Sequence, residues 1–414
     1  MDTKTLRCGL LGRKLGHSYS PAIHERLADY SYRLFEVEPE DLGAFLQEGA
    51  FDGLNVTIPY KKDVIPYCAE LSDTARAIGA VNTLVRRADG TLWGDNTDAY
   101  GFSMLVQSSG ADVAGKKALV FGSGGASATA QYVLRQLGAR EVVVISRHGE
   151  DNYENLDRHA DAQIAVNTTP VGMYPNTGVS PVDLHRLPRL EAALDVVYNP
   201  ARTEFLLQAE ARGLRRANGL LMLAAQAKKS CEDFTGEPVN DAKIFSITKA
   251  LEAQMHNVIL IGMPGSGKTT IGTLVAKRLG RTFVDADSAL EREAGMPIPE
   301  IFRREGEAGF RRRETAVLAE LGRQSGLVLA TGGGSVTREE NYPLLHQNGE
   351  IFCLQRALEQ LPSAGRPVSQ ALGAQAIYAQ RKPLYARFAD AMIDNNGTPE
   401  AAAAQILEVL GCSC

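Results

Sequence analysis

The sequence contains little cysteine and histidine, and neither residue type falls into a recognisable spacing. Its 414 residues include six cysteines without a CxxC pair and seven histidines without an HxxxH or HExxH pair. Disulfide frameworks and zinc sites depend on such patterns. We therefore expect neither of them in this protein.

An excess of positive charge and long apolar runs are also missing. Lys and Arg number 44 against 49 Asp and Glu. The net charge of -5 therefore lacks the excess of positive charge that is typical of proteins binding nucleic acid or an anionic membrane. No run approaches the roughly 18 apolar residues that a membrane helix needs, and the start of the chain lacks the apolar core of a signal peptide. We expect a cytoplasmic protein, a monomer or a homodimer, whose partners are small molecules.

Glycine, in contrast, is frequent, with 40 residues, and it clusters where apolar runs end. Such runs at 117–122 (KALVFG), 257–262 (NVILIG) and 327–330 (LVLA) predict buried strands of an α/β fold. In α/β sheets, ligands bind beyond the carboxyl ends of the strands. We therefore expect the glycine clusters that follow these runs to lie at binding sites.

The first glycine cluster is a partial dinucleotide-binding fingerprint between a predicted strand and a helix that continues to Leu137. A second predicted strand at 141–146 completes a βαβ unit, although Ser127 stands where a glycine or alanine is usual. Glycines at this turn let the backbone approach a pyrophosphate closely. The predicted cofactor-binding residues of the turn are Gly122, Gly124, Gly125 and Ala126.

The end of the second strand bears on the choice of cofactor. Ser146 and Arg147 stand where an NAD-specific site would carry an acidic residue. A cation at this position favours the 2′-phosphate of NADP. The alternative is that Arg147 is a surface arginine at a strand end.

The second glycine cluster, at 262–269 (GMPGSGKT), fits the G-x-x-x-x-G-K-T pattern of a phosphate-binding loop. Its backbone N–H groups would hold the phosphates of ATP, Lys268 would reach the β and γ phosphates, and the Thr269 hydroxyl would ligate Mg²⁺. The other nucleotide-binding residues predicted here are Gly262, Gly265, Ser266, Gly267 and Thr270.

Two carboxylates follow in the next predicted strand. Asp285 and Asp287 are two residues apart, which predicts that they share one side of a strand end. One would orient the magnesium shell and the other would accept a proton from a hydroxyl acceptor. The alternative is a turn followed by an N-cap for a helix from Ser288.

From 257 onwards the chain resembles shikimate kinase, a member of the nucleoside monophosphate kinase-like P-loop fold. The segments GMPGSGKTTIG, FVDADSALE, GEAGFRRRET, LATGGGSV and RKPLYARFAD carry this resemblance in the family's order. It implies that Asp287 is the base at the 3-hydroxyl of shikimate and that Thr269 and Asp285 serve Mg²⁺. It also implies that Arg366 is the lid arginine beside the transferred phosphate. The implied shikimate-binding residues are Asp287, Arg311, Gly333, Gly334 and Arg381.

Polar segments in the first hundred residues carry a second resemblance. GHSYSP at 16–21, NVTIPYK at 55–61, GAVNT at 79–83 and GDNTD at 94–98 together resemble shikimate dehydrogenase, and the similarity extends over about residues 6–254. The resemblance implies that Lys61 and Asp98 are the catalytic pair. A lysine stabilises and protonates the alkoxide left by hydride delivery, while a carboxylate holds the lysine. The implied substrate-binding residues are Ser18, Ser20, Thr57, Asn82 and Gln226, with Tyr198 as an additional contact.

Together these features predict a bifunctional enzyme that reduces 3-dehydroshikimate with NADPH and then phosphorylates shikimate at its 3-hydroxyl with MgATP. The predicted domains are a substrate domain (1–105, completed by 218–255), a Rossmann NADP domain (106–217) and a P-loop kinase domain (256–414). The alternatives are a quinate/shikimate dehydrogenase fused to a kinase, which Ser20 disfavours by the resemblance, and a fusion in which one half is a degenerate regulatory module. A surface salt bridge is the alternative for Lys61 and Asp98.

Overall fold

A computed structural model describes residues 5–16, 18–361 and 374–412. These residues divide into two compact units. The first unit lies within Met1–Met173, Val179–Tyr198 and Phe205–Ala250, and the second within Tyr174–Gly178, Asn199–Glu204 and Leu251–Cys414. The described residues form three sheets, and the three predicted strands that end in glycine clusters are all present.

The first sheet has six strands in the order β2-β1-β3-β5-β6-β4. It is mixed, because β5 runs antiparallel to β3 and β6 while the other pairs are parallel. Leu11, Leu54 and Leu84 from its central strands are fully buried in one core. The strands are β1 (Arg7–Gly12), β2 (Ser31–Glu36), β3 (Gly53–Val56), β4 (Cys68–Leu71), β5 (Thr83–Arg86) and β6 (Leu92–Asp95), and the helices among them are α1 (Ser20–Leu27), α2 (Leu42–Glu48), α3 (Asp73–Ile78) and α4 (Asp98–Ser109).

The second sheet is parallel and has five strands in the order β11-β10-β9-β7-β8. The strand order changes direction at β7, because the chain adds β8 on one side of β7 and then β9 on the other. Ligands of such sheets bind at this point, so the crevice beyond the carboxyl ends of β7 and β9 is the expected ligand position. The elements are β7 (Lys117–Phe121), α5 (Gly125–Gln136), β8 (Glu141–Ile145), β9 (Ile164–Asn167), β10 (Ala192–Asp195), α6 (Glu204–Ala211) and β11 (Arg215–Ala217).

Two further helices complete the first half of the chain. The segment 218–255, which completes the predicted substrate domain, contains α7 (Leu220–Thr235) and α8 (Ala242–Met255). Gly236 adopts a left-handed conformation that ends α7, and Pro238 follows it. Helix α7 packs along α4, which brings its residues beside the first sheet.

The third sheet has five parallel strands in the order β13-β14-β12-β15-β16. Its central strand β12 is buried along its whole length, as its unbroken apolar sequence predicts. The strands are β12 (Asn257–Gly262), β13 (Phe283–Asp285), β14 (Val328–Ala330), β15 (Gly349–Gln355) and β16 (Ala391–Asp394), and the helices are α9 (Lys268–Leu279), α10 (Ala286–Ala294), α11 (Ile298–Gly322), α12 (Asn341–His346), α13 (Ala374–Phe388) and α14 (Pro399–Val409).

The placement of Asp285 and Asp287 corrects a prediction. Strand β13 ends at Asp285 and α10 begins at Ala286, so Asp287 lies in the first helical turn and the two carboxylates do not share one side of a strand. The Asp285 Oδ1 accepts hydrogen bonds from the backbone N–H groups of Asp287 (3.1 Å) and Ser288 (3.3 Å). Asp285 is therefore the N-cap of α10, as the alternative held, although the helix begins two residues earlier than predicted.

Candidate active sites

Lys61 and Asp98 form a close ion pair in the first unit. The Lys61 Nζ lies 2.5 Å from the Asp98 Oδ2, and the two side chains are 23% and 12% exposed. Asp98 is the first residue of α4, which follows β6, and Lys61 is in the loop after β3. Since an exposed salt bridge would leave both groups in water, this partly buried pair differs from the surface salt bridge held as the alternative.

The predicted substrate residues of this site differ in how they are held. Asn82 is 2% exposed, and its Oδ1 accepts from the Thr97 backbone N–H at 2.7 Å. The Ser18 hydroxyl accepts from the backbone N–H of Ser20, where α1 begins. Gln226 lies on α7 and donates from Nε2 to the Leu223 carbonyl. These residues come from separate elements, which the fold of the first unit joins.

Thr57 and Tyr198 are both half-buried. The Thr57 backbone N–H donates to the Leu11 carbonyl, so Thr57 lies directly after β3 and beside the end of β1. The Tyr198 ring lies edge-on to Tyr19, with 6.1 Å between the centroids. Burial, followed by the nearby Tyr19, raises the pKa of the Tyr198 phenol, so this side chain is a neutral hydrogen-bond donor at ordinary pH.

The turn after β7 has the shape of a dinucleotide cradle. Gly122 has φ 107°, and a Cβ at this position would lie 2.9 Å from the Thr169 Cγ2 and 3.0 Å from the Thr168 Oγ1. The N-terminus of α5 follows, where Gly124 makes no side-chain cap, so the first N–H groups are available to a phosphate. A Cβ on Gly125 would lie 3.8 Å from the Lys61 Cδ. The cradle is therefore adjacent to Lys61.

The remaining predicted cofactor residues surround this cradle. Ala126 lies in the first turn of α5, and Ser127 is fully buried, so a serine fits where a smaller residue was expected. Ser146 and Arg147 follow β8 directly, and Arg147 is exposed. Between β8 and β9 the chain forms only a short 3-10 helix (Leu156–His159). The residues present fit a dinucleotide whose pyrophosphate lies at the α5 N-terminus and whose 2′-phosphate faces Arg147.

The loop from β12 to α9 in the second unit has the conformation of a phosphate-binding loop. Gly262, Gly265 and Gly267 have φ values of 143°, 83° and 93°, which only glycine adopts easily. Lys268 is 9% exposed, and its Nζ donates to the carbonyls of Gly262 (2.9 Å) and Met263 (3.1 Å). The strand, the loop and the helix N-terminus fit a nucleoside triphosphate.

Two oxygen ligands for a cation lie beside this loop. The Thr269 hydroxyl donates to the Asp285 Oδ2 at 2.8 Å, and Thr270 follows it on the exposed side of α9. In the part of the chain that the structure describes, no cluster of three or more His, Cys, Asp or Glu side chains could hold a metal by itself. A hydroxyl with one carboxylate suits Mg²⁺, which completes its shell with water and phosphate oxygens.

Asp287 lies in an acidic environment. Burial, Glu314 and Asp285 raise the pKa of its carboxyl to about 6, while Lys268 and Arg311 act in the opposite direction. A Cβ on Gly332 would lie 2.6 Å from the Glu314 Oε1 and 2.8 Å from the Asp287 Oδ1. The two carboxylates therefore converge on one glycine, and Asp287 titrates where a general base is effective.

The predicted acceptor-binding arginines are buried. Arg311 is 9% exposed, and its Nη1 donates to the Glu314 Oε2 at 2.6 Å. Its Nε is buried and has no hydrogen-bond partner among the described residues. Arg381, on α13, is 6% exposed and donates to the Gly333 carbonyl at 2.9 Å. A Cβ on Gly334 would collide with the Arg311 guanidinium, so this turn after β14 brings both arginines together.

Sequence reasoning missed three residues of this site. Glu314, 2% exposed, pairs with Arg311 and was recognisable from its position three residues later on the same helix. The Tyr385 hydroxyl donates to the Gly333 carbonyl at 2.5 Å, and the Asn395 Nδ2 donates to the Ser266 carbonyl at 2.5 Å. The last two contacts join distant segments, and no local pattern signals them. The predicted lid arginine, Arg366, lies outside the described residues.

Comparisons with known proteins find two families in this chain. The family model "Shikimate dehydrogenase substrate binding domain" matches residues 10–84, and the model "Shikimate kinase" matches residues 264–411. The NADP(+)-dependent shikimate dehydrogenase of Clostridium perfringens (strain SM101) is 36% identical over 267 residues, which cover 59% of this chain and 98% of that protein.

Solved structures show the same relationship for the first half of the chain. A chorismate mutase/shikimate 5-dehydrogenase fusion protein from Clostridium acetobutylicum is 35% identical with a TM-score of 0.57, covering 60% of this chain and 97% of that one. Shikimate 5-dehydrogenase from Thermus thermophilus, in complex with NADP(H) and shikimate, is 32% identical with a TM-score of 0.54, covering 59% of this chain and 99% of that one.

Proposed function

Because this chain belongs to the shikimate dehydrogenase family and continues into a shikimate kinase domain, it is a bifunctional shikimate-pathway enzyme, and we propose the residues through which each site acts. The proposed domains follow the sheets: 1–105 with 218–255 around the first sheet, 106–217 around the second and 256–414 around the third. The substrates are 3-dehydroshikimate at the first site and shikimate at the second.

The 2.5 Å contact between Lys61 and Asp98 carries the proposal for the first site. The Asp98 carboxylate holds the Lys61 ammonium toward the substrate carbonyl, where it stabilises the developing alkoxide and donates a proton to it. NADPH supplies the hydride when it is bound. Residues Ser18, Ser20, Thr57, Asn82, Tyr198 and Gln226 orient the substrate carboxylate and hydroxyls.

The nucleotide-binding residues of the first site are proposed from the cradle after β7. Gly122, Gly124, Gly125 and Ala126 approach the pyrophosphate, and Ser146 and Arg147 face the 2′-phosphate. Because Gly125 lies against the Lys61 side chain, a dinucleotide on this turn ends near the catalytic pair.

At the second site, Asp287 carries the proposal, because burial and the nearby Glu314 and Asp285 raise the pKa of its carboxyl to about 6, where a general base is effective. Asp287 accepts the proton of the shikimate 3-hydroxyl as that oxygen attacks the transferred phosphate. Arg311 and Arg381 bind the shikimate carboxylate, since planar guanidinium groups suit a carboxylate, and the Gly333 and Gly334 backbone lies against the ring. Lys268, Thr270 and the loop residues Gly262, Gly265, Ser266 and Gly267 hold the nucleotide phosphates, and Thr269 and Asp285 serve Mg²⁺.

Product analysis tests both sites together. The purified chain is incubated with 3-dehydroshikimate, NADPH and MgATP, and the products are identified by mass spectrometry. We expect shikimate 3-phosphate. Shikimate alone would show an inactive kinase half, and no product would contradict the proposed reduction. Equal turnover of quinate by the first half would favour a quinate/shikimate dehydrogenase instead.

We further propose that the protein is cytoplasmic. Its five described cysteines are all free thiols, which suits a reducing compartment. Among the described residues, no helix combines the length and apolar character needed to cross a membrane. Cell fractionation tests the location, and light scattering of the purified chain distinguishes a monomer from a homodimer.

A further inference from the structure

A buried network of side chains lies behind Asn82 in the first unit. Thr83, Thr97 and Ser230 are at most 1% exposed, and Asn55 is 5% exposed. They come from β3, β5, the turn before α4, and α7. Because buried polar groups are costly unless they are hydrogen-bonded, a cluster joining four elements needs a physical account.

The network is directed at the Asn82 side-chain oxygen. The Asn82 Oδ1 accepts from the Thr97 backbone N–H (2.7 Å) and lies 3.1 Å from the Thr83 hydroxyl and 3.2 Å from the Thr97 hydroxyl. A backbone N–H can only donate, so the atom facing it is the amide oxygen and not the nitrogen. Asn82 therefore offers a ligand its two N–H donors.

Ser230 is the centre of this network. Its Oγ donates to the Gln226 carbonyl at 2.9 Å and accepts from the Asn55 Nδ2 at 2.7 Å. The hydroxyls of Thr83 and Thr97 lie 3.0 and 2.9 Å from the same oxygen. A hydroxyl has one proton, and because the Gln226 carbonyl takes it, Ser230 accepts from its other partners. The threonine protons are then shared among Ser230, the Asn82 Oδ1 and the contact between the two threonine hydroxyls, which lie 3.2 Å apart.

We infer that Ser230 is a positioning residue for the reduction, acting through Asn82. The inference rests on the proposed function of the first site. The hydroxyl fixes α7, which carries Gln226, against the strand that follows Asn82 and against the residue that precedes Asp98. Ser230 thus fixes the positions of Asn82, Gln226 and Asp98 relative to one another. It does so without contacting the substrate itself.

Removal of the hydroxyl tests this role. In Ser230→Ala, we expect kcat/KM for 3-dehydroshikimate to fall about 10- to 100-fold, the scale of a small misplacement of reacting groups. The loss should lie mainly in kcat, while the Kd for NADPH and the kinase rate of the same chain stay unchanged. Thr83→Val, which keeps the side-chain volume, should show the same pattern to a smaller extent and remains informative if Ser230→Ala folds poorly.

A matched control separates this role from the loss of any buried hydroxyl. Thr248, 8% exposed, donates to the Ile244 carbonyl one turn earlier on α8, as Ser230 does on α7. Thr248→Val should leave the reduction rate within about twofold of the original. Equal losses in Thr248→Val and Ser230→Ala would overturn the inference, because they would reflect helix stability alone.

A double-mutant cycle with Asn82→Ala tests the route of the effect. If Ser230 acts through Asn82, the double variant loses clearly less activity than the product of the two single losses. Losses that multiply, or a Ser230→Ala enzyme within about twofold of the original, would overturn the inference. A wild-type chain without NADPH-dependent reduction would instead remove the proposed function itself.

Discussion

Lys61 and Asp287 are both proposed to move a proton, but their surroundings differ. Lys61 is paired with a carboxylate of opposite charge at 2.5 Å, which holds its ammonium group in place. Asp287 lies near two further carboxylates, Glu314 and Asp285, which favour its neutral form. The first arrangement orients a proton donor, and the second suits a base that must accept a proton.

Lys61→Ala tests the first arrangement. We expect the rate of reduction to fall by about 100- to 10,000-fold, the usual scale for an acid-base group, with the kinase rate unchanged. Lys62→Ala removes a neighbouring exposed lysine and is the matched control. Equal losses in both lysine variants, or a parallel loss of kinase activity, would contradict the assignment.

Asp287→Asn tests the second arrangement. The amide keeps the shape of the side chain but cannot accept a proton, so we expect phosphorylation to be lost while the calorimetric Kd for ATP stays the same. Weakened ATP binding would indicate that Asp287 supports the nucleotide site and is not the base.

The pH dependence of the kinase should follow the pKa of Asp287. Since that pKa is raised to about 6, the base form prevails above pH 6, and kcat/KM should fall about tenfold per pH unit below it. Glu314→Gln removes a negative neighbour and also frees the Arg311 charge. Both changes favour the ionised form, so the acid limb should move to lower pH. If the acid limb of the pH profile does not move in Glu314→Gln, a group other than Asp287 controls it.

At the scale of single elements, the turns after the strands determine where the ligands can bind. Gly122 illustrates this, because its φ of 107° and its contacts with Thr168 and Thr169 both exclude a side chain. The Thr168 hydroxyl also donates to the Phe121 carbonyl at 2.7 Å, and this hydrogen bond joins the carboxyl ends of β7 and β9. The same turn therefore shapes the sheet and the nucleotide cradle.

Gly122→Ala should disturb both. We expect a loss of about 1–3 kcal/mol of stability from the strained backbone, measured by denaturant unfolding, and a weaker Kd for NADPH. Gly124→Ala is the comparison for folding, because its φ is -84° and an added Cβ has no atom within 4 Å. Similar unfolding free energies for the two variants would argue against strain at Gly122.

The error in the prediction around Asp285 has a local physical cause. The start of α10 was placed too late, because a side chain that caps a helix and one that ends a strand look alike in sequence, and only the bonds of Asp285 distinguish them.

At the scale of the whole molecule, two reactions share one chain, and shikimate is the product of the first and the substrate of the second. If the sites act independently, shikimate released by one molecule serves another. A mixture of the Lys61→Ala and Asp287→Asn proteins should therefore convert 3-dehydroshikimate to shikimate 3-phosphate, although neither variant does so alone. Failure of the mixture, with both variants retaining their other activity, would contradict independent sites.

The amino-acid sequence by itself determined the α/β class, the glycine turns and the two families, and it supplied most of the candidate residues of each site. These features are local, because a turn, a phosphate-binding loop or a strand end is specified by adjacent residues. Only the tertiary structure decided the contacts between distant segments, such as Ser230 with Thr83, Tyr385 with Gly333, and the approach of Glu314 to Asp287. The reason is physical: burial and electrostatic environment depend on which elements pack together, and the pKa of Asp287 depends on burial and on Glu314 as well as on its chain neighbour Asp285.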